Sequence, residues 1–215
     1  GGRADHALKR HALGSRTYHP AMRKGRLEAF SDGVIAILIT IMVLELRSPE
    51  GGHLSDLRPL LSTGLAYLLS FVIIAIYWNN HHHLFAAVER VDGRVLWANM
   101  HLLFWLSLVP FATAWMGDHH DERVPVAIYG LVFLGAGMAY FVLTRALLAL
   151  HPADSNLAIA IGRDWKGTAS VVVYALGIAA AFVWTWAALA AFVGVAVLWL
   201  VPDRRIHRVL ADPPR

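Results

Sequence analysis

Apolar runs long enough to cross a bilayer alternate with short polar connections along most of the chain. The first run spans about Leu27 to Leu46. The second spans Leu57 to Trp78, with Pro59 in its first turn, where a missing N–H is tolerated. The third runs from Val95 to Met116, with a kink predicted at Pro110. The fourth runs from Val124 to about Leu150. The last, Thr168 to Val201, is 34 residues long. As one helix it would extend about 51 Å, against a hydrocarbon core of about 30 Å. It is either one long tilted helix or two short spans, and no Gly-Pro break separates the two readings.

Charge separates them. With two spans in the last block, sixteen of the 19 Lys and Arg fall on one side of the membrane. Only Arg47, Arg58 and Arg123 fall on the other. With one span, the tail arginines Arg204, Arg205, Arg208 and Arg215 would change sides. The positive-inside tendency therefore predicts six spans with both termini cytoplasmic and a tight last turn near Val183–Trp186. The expected division is a basic arm over 1–25, a six-helix membrane domain over 26–202 and a basic tail over 203–215. The arm begins at Gly1, shows no secretory signal, and is set aside to residue 19 as a candidate processed or engineered remnant.

Composition supports this all-α membrane reading. The 57% hydrophobic content and mean hydropathy of +0.52 are too apolar for an ordinary soluble domain. The absence of Cys excludes disulfides, thiolate metal sites and Cys nucleophiles. A pI near 9.7 could suggest nucleic acid, but in a membrane protein the placement of the basic residues matters more than their sum, and no nucleic-acid partner is expected.

The candidate chemistry begins at Arg26-Leu-Glu-Ala-Phe30-Ser31-Asp32. An ionisable group beside a membrane helix is a functional candidate, and Arg26 is the nearest sequence partner for Asp32. At 100° per residue, Gly33, Ile37, Thr40, Ile41 and Leu44 share one face of this helix, while Ser31, Ile35, Ile39 and Met42 lie elsewhere. Two readings of that face stay open. It is a packing face, with Gly for close approach and Ile and Leu for fill. Or it is a pore wall, whose apolar rings stop water by dewetting and whose Thr hydroxyls replace part of an ion's hydration shell.

These residues resemble the first-helix signature of the transmembrane protein 175 family, whose prokaryotic members are potassium channels. The likeness is carried by Arg26-x-x-x-Phe30-Ser31-Asp32, then Gly33-Val-Ile-Ala-Ile37-Leu-Ile-Thr40 and Leu44-Glu45. It continues in Tyr77-Trp78-Asn79-Asn80-His81-His82 and from Trp97-Ala-Asn99 to Pro110-Phe111-Ala-Thr113. Beyond Thr113 it rests on hydropathy and the Trp199-Leu-Val-Pro202 ending. The resemblance implies a homotetramer of six-span subunits whose first helices line a central pore. It implies a hydrophobic constriction at Ile37, a cation-preference position at Thr40, and further pore rings at Ile41 and Leu44. The Thr-Val-Gly-Tyr-Gly filter of ordinary potassium channels is missing, so modest selectivity over sodium is expected. It further implies that Arg26 and Asp32 belong to a clasp at the cytoplasmic mouth, for which Trp78, Asn79, His81 and Asn99 are the candidate partners. Loss of Asp32 from a buried charge pair there would cost about 3–5 kcal/mol.

Other constellations carry less. Consecutive helical residues diverge by about 100°, so His81, His82 and His83 cannot all bind one ion. The Asp118-His-His-Asp-Glu122 stretch reads as a solvated loop. His101 reads as a hydrogen-bonded packing residue, and Gly130, Gly135 and Gly137 as close helix contacts. No nucleophile–base pair or phosphate loop is visible, so neither an enzyme nor a cofactor is expected. The alternative to a channel is a secondary transporter, proton-coupled through Asp32 or His81. A third reading is a scaffold without permeation.

Overall fold

The structure, a computed structural model, describes residues 21–152, 155, 157 and 165–200, with side chains from Lys24 onward. The described residues are helical, without a strand. Helix α1 covers Ala21–Leu44. A 3-10 segment, Leu54–Leu60, leads into α2, Leu61–Ala86. Helices α3 (Gly93–Ser107) and α4 (Val109–Asp118) follow, then α5 (Arg123–Leu150). Two shorter helices close the order, α6 (Trp165–Ala181) and α7 (Thr185–Leu200). Residues 1–20 of the expected arm, Arg163 and the expected tail lie outside the described residues.

Local chemistry sets most boundaries. Asp92 caps α3, its carboxylate accepting from the Val95 N–H at 2.9 Å. The third span breaks at Leu108, where Pro110 opens α4. Proline there has no N–H to give to the preceding turn, so a new helix starts instead of the old one continuing. Pro59 sits inside the 3-10 segment, one element earlier than the helical turn expected for it. Helix α2 runs eight residues past Trp78, so the three histidines are helical. Helix α1 begins at Ala21, before the expected start at Leu27, which brings Lys24 into the helix.

The last apolar block is two helices broken at 182–184. Their 17 and 16 residues extend about 26 and 24 Å, short for a span but close to the hydrocarbon thickness. The other four segments, Lys24–Leu44, Leu54–Ala86, Gly93–Asp118 and Arg123–Leu150, are long and apolar enough to cross a membrane outright.

Glycine and aromatic side chains build the bundle around α5. Gly135 receives the Trp105 ring, and a Cβ there would collide with it. Gly130 and Gly177 both face Phe192, where an added Cβ would come within 2.5 and 2.6 Å of the ring. These contacts lock α5, α6 and α7 together, with Tyr129, Phe133 and Tyr174 filling the centre. Gly137 differs: a Cβ there would meet only ordinary contacts, 3.7 Å or more away. Helix α1 joins this core from one side, packing on α2, α3 and α4.

Three contacts gather alternate helix ends at one surface. The Lys24 ammonium donates to the Val88 carbonyl at 2.7 Å, joining the start of α1 to the end of α2. The Glu89 N–H donates to His151 at 3.3 Å, bringing in the end of α5. The Trp199 indole donates to Ser170 at 2.8 Å, joining the end of α7 to the start of α6. Arg26, Arg90, Arg94, Arg145 and Lys166 belong to these ends, whereas Arg47, Arg58 and Arg123 belong to the opposite ones.

Candidate functional site: the two faces of the first helix

Helix α1 is apolar almost all round, which suits a membrane more than a soluble surface. Its two sides nevertheless have opposite surroundings. Leu27, Ser31, Ile35, Leu38 and Met42 are buried and fall within an arc of about 80°. Phe30, Gly33, Ile37, Thr40, Ile41 and Leu44 are exposed and fall within about 100° on the other side. Ile37 is 57% exposed while its neighbour Leu38 is 5% exposed. Leu44 reaches 79%. The stripe picked out by periodicity is thus the side of α1 that this subunit leaves uncovered.

Thr40 is the hydroxyl of the stripe. It donates to the Ile37 carbonyl at 2.8 Å. The donor is therefore used within the helix, and the oxygen lone pairs remain as acceptors on the exposed side. Hydroxyl oxygens presented in this way suit a partly dehydrated cation better than an anion.

The buried side is anchored at the basic end by a chain of polar groups. The Ser31 hydroxyl donates to the Leu27 carbonyl at 2.9 Å. It accepts from the Asn99 amide at 2.9 Å. The Asn99 carbonyl oxygen meets His81 Nε2 at 2.8 Å. With Asn99 accepting, Nε2 carries the proton. Ser31, His81 and Asn99 are all buried, so α1, α2 and α3 are held by satisfied hydrogen bonds where water is excluded. His81 also stacks on Phe85, with ring centroids 4.5 Å apart. Outside this chain the Trp78 indole donates to the Asp32 carboxylate at 3.0 Å.

Four expectations change here. Asp32 is exposed and has no ion pair with Arg26 among the described residues. Six residues turn a helix by about 600°, which leaves the two side chains some 120° apart. Arg26 instead lies at the base of the exposed stripe, and Phe30, 53% exposed, lies there too. Asn79 is exposed and makes no hydrogen bond among the described residues. His101 is hydrogen-bonded as expected, accepting from Trp105 Nε1 at 3.0 Å, but it is exposed and not packed inside the bundle. Of the adjacent histidines, His82 stacks on exposed Trp78 while His81 turns inward.

A second polar ladder was not foreseen. The Thr113 hydroxyl donates to Ser70 at 2.7 Å and lies 4.0 Å from the Met42 sulfur. Ser70 and the Tyr129 hydroxyl are 3.0 Å apart. These residues tie α1, α4, α2 and α5 in series. They come from different helices, so no local spacing announces the set.

Similarity to known proteins includes this region and extends beyond it. Residues 26–110 match the family described as "Endosomal/lysosomal potassium channel TMEM175". A potassium channel from Chryseobacterium sp. (strain P1-3) is 49% identical over 191 residues, covering 89% of this chain and 100% of that protein. A potassium channel from Chamaesiphon minutus is 34% identical over 174 residues, covering 74% of this chain and 86% of that protein. The crystal structure of a TMEM175 homologue from Chamaesiphon minutus superposes with a TM-score of 0.73 at 31% identity, covering 86% of this chain and 98% of that one. The chain belongs to the TMEM175 family of membrane channels, not to a family of enzymes.

Proposed function

We propose that this protein is a passive, potassium-permeable cation channel, a homotetramer in which four α1 helices surround a central pore. The observation that carries the reading is the division of α1: its inner side is packed and hydrogen-bonded, while Ile37, Thr40, Ile41 and Leu44 project uncovered. Fourfold gathering of that stripe supplies a wall. Ile37 forms the hydrophobic constriction, Ile41 and Leu44 form further apolar rings, and Thr40 forms the oxygen ring that favours a cation. The relatives named as potassium channels support the choice of ion. Without a carbonyl filter, potassium is preferred over sodium only modestly, by pore width and the cost of dehydration.

The clasp of Ser31, Asn99 and His81, with Asp32 on Trp78, fixes the base of α1 so that the stripe keeps its heading. Basic residues on the gathered helix ends support a reading with both termini in the cytoplasm and the protein in the cell membrane. No cofactor enters the mechanism. Purified protein in planar bilayers under a potassium gradient tests the reading. Stepwise currents reversing near the potassium equilibrium potential are expected. Slow, saturating flux without steps contradicts a channel and favours proton-coupled transport through Asp32 or His81.

A further inference from the structure

A cavity of about 270 Å3 lies between α2, α5, α6 and α7, and α1 contributes nothing to its lining. Ile73, Gly137, Phe141, Val195 and Ala196 make its walls largely apolar. Two tyrosines, Tyr77 and Tyr174, also line it. Tyr174 is 3% exposed, yet neither hydroxyl has a hydrogen-bond partner among the described residues. A hydroxyl on a largely apolar cavity, without a protein partner, is ready to donate to an acceptor carried by an occupant. Water alone does not suit walls that are mostly apolar, because each buried water needs two to four polar partners and groups such as Asn80 and Ser170 are few beside the apolar surface.

The surroundings define the occupant's charge. The Arg145 guanidinium lies 5.0 Å above the Phe141 ring, and the Lys166 ammonium 5.8 Å from the Trp199 ring. Phe141 and Trp199 both line the cavity, so a cation stands over each of two lining residues. Arg145 follows Gly137, which lies beside the Tyr77 hydroxyl, by eight residues on α5, about 12 Å of rise toward the basic end. Lys166 precedes Tyr174 by eight residues on α6, about 12 Å. Cations toward the basic helix ends, hydroxyl donors about two helical turns deeper and an apolar chamber around them match the order of groups in a phospholipid. That order is phosphate, ester carbonyl and acyl chain. Basic pockets between membrane helices hold acidic head groups in this way.

We propose that this cavity is a binding site for one anionic phospholipid per subunit, taken from the leaflet at the basic helix ends. One acyl chain enters beside Gly137. Its ester carbonyl accepts from Tyr77 or Tyr174, and its phosphate lies between Arg145 and Lys166. The site braces α2 against α7 and lies on the side of the subunit away from the α1 stripe.

Native mass spectrometry of the delipidated protein, with phosphatidylglycerol or phosphatidylcholine added back, tests this. Phosphatidylglycerol adducts are expected at up to one per chain and in clear preference to phosphatidylcholine. Arg145→Gln and Lys166→Gln should each cut that preference about fivefold. Gly137→Leu should remove adducts of both lipids, while Gly137→Ala, whose Cβ meets no close neighbour, should retain them. Circular dichroism and elution volume establish that each variant is folded. If Gly137→Leu does not fold, the shape-preserving double variant Tyr77→Phe/Tyr174→Phe takes its place and should weaken phosphatidylglycerol retention. Equal binding of the two lipids by the unmodified protein overturns the proposal. So does the absence of adducts, or adducts undiminished in a folded Gly137→Leu variant and in the double Phe variant.

Discussion

Ile37 and Leu38 are adjacent, similar in size and equally apolar, yet one is 57% exposed and the other 5%. The same division runs the length of α1. Ser31, Ile35, Leu38 and Met42 are buried where α1 packs on α2, α3 and α4, whereas Gly33, Ile37, Thr40 and Leu44 are exposed. The buried side is answerable to this chain's stability. The exposed side is answerable to whatever lies beyond the subunit, which in a channel is the permeation path and the neighbouring copies. Substitutions on the two sides should therefore separate folding from conduction.

The largest effect on stability is expected at Leu38. Leu38→Ala opens a cavity against the neighbouring helices and should cost about 2 kcal/mol or more, measured as a lowered Tm in detergent. Asn99→Leu comes next. It strands buried Ser31 and His81 together and should cost about 1–3 kcal/mol, with a looser α1 seen as faster hydrogen exchange over its first turns. Asp32→Ala should cost only about 1 kcal/mol, because the Trp78 contact is exposed. That is well below the value for a buried ion pair, and Asp32→Asn, which keeps an acceptor for the indole, should restore most of it. Ile37→Ala reverses the pattern. Its stability should stay within about 0.5 kcal/mol, while potassium flux in proteoliposomes rises because the constriction widens. Thr40→Val is the mildest for folding, and should lower the potassium-over-sodium preference read from reversal potentials.

Much of this was legible in the chain. The stripe follows from a single 100° step applied to Gly33, Ile37, Thr40, Ile41 and Leu44, because one long helix imposes one period. The break in the last block followed from where the arginines had to lie, although no breaking residue marks 182–184. Pro110 gave its own break. Trp78, His81 and Asn99 were found as partners for α1 through the family resemblance and through the expectation that their span ends share one surface. What stayed hidden depends on rotation about helix axes. Asp32 takes an indole instead of Arg26 because six residues separate their headings. Asn79 turns outward although its neighbours Trp78 and His81 are engaged. The Ser70, Thr113 and Tyr129 ladder joins three spans whose relative depth only packing decides, and the cavity beside Gly137 exists because the glycines at 130 and 135 are filled by aromatic rings while this one is not.

The chain has no cysteine, so single thiols can be placed on either side of α1 without background. The most direct measurement is potassium current through Leu44→Cys, Ile41→Cys, Leu38→Cys and Met42→Cys channels before and after a charged, water-soluble thiol reagent. Block at 44 and 41, with no change at 38 and 42, is the predicted result. Block at 38 or 42, or unaltered current with labelled thiols at 44 and 41, would place the conduit somewhere other than along the exposed stripe.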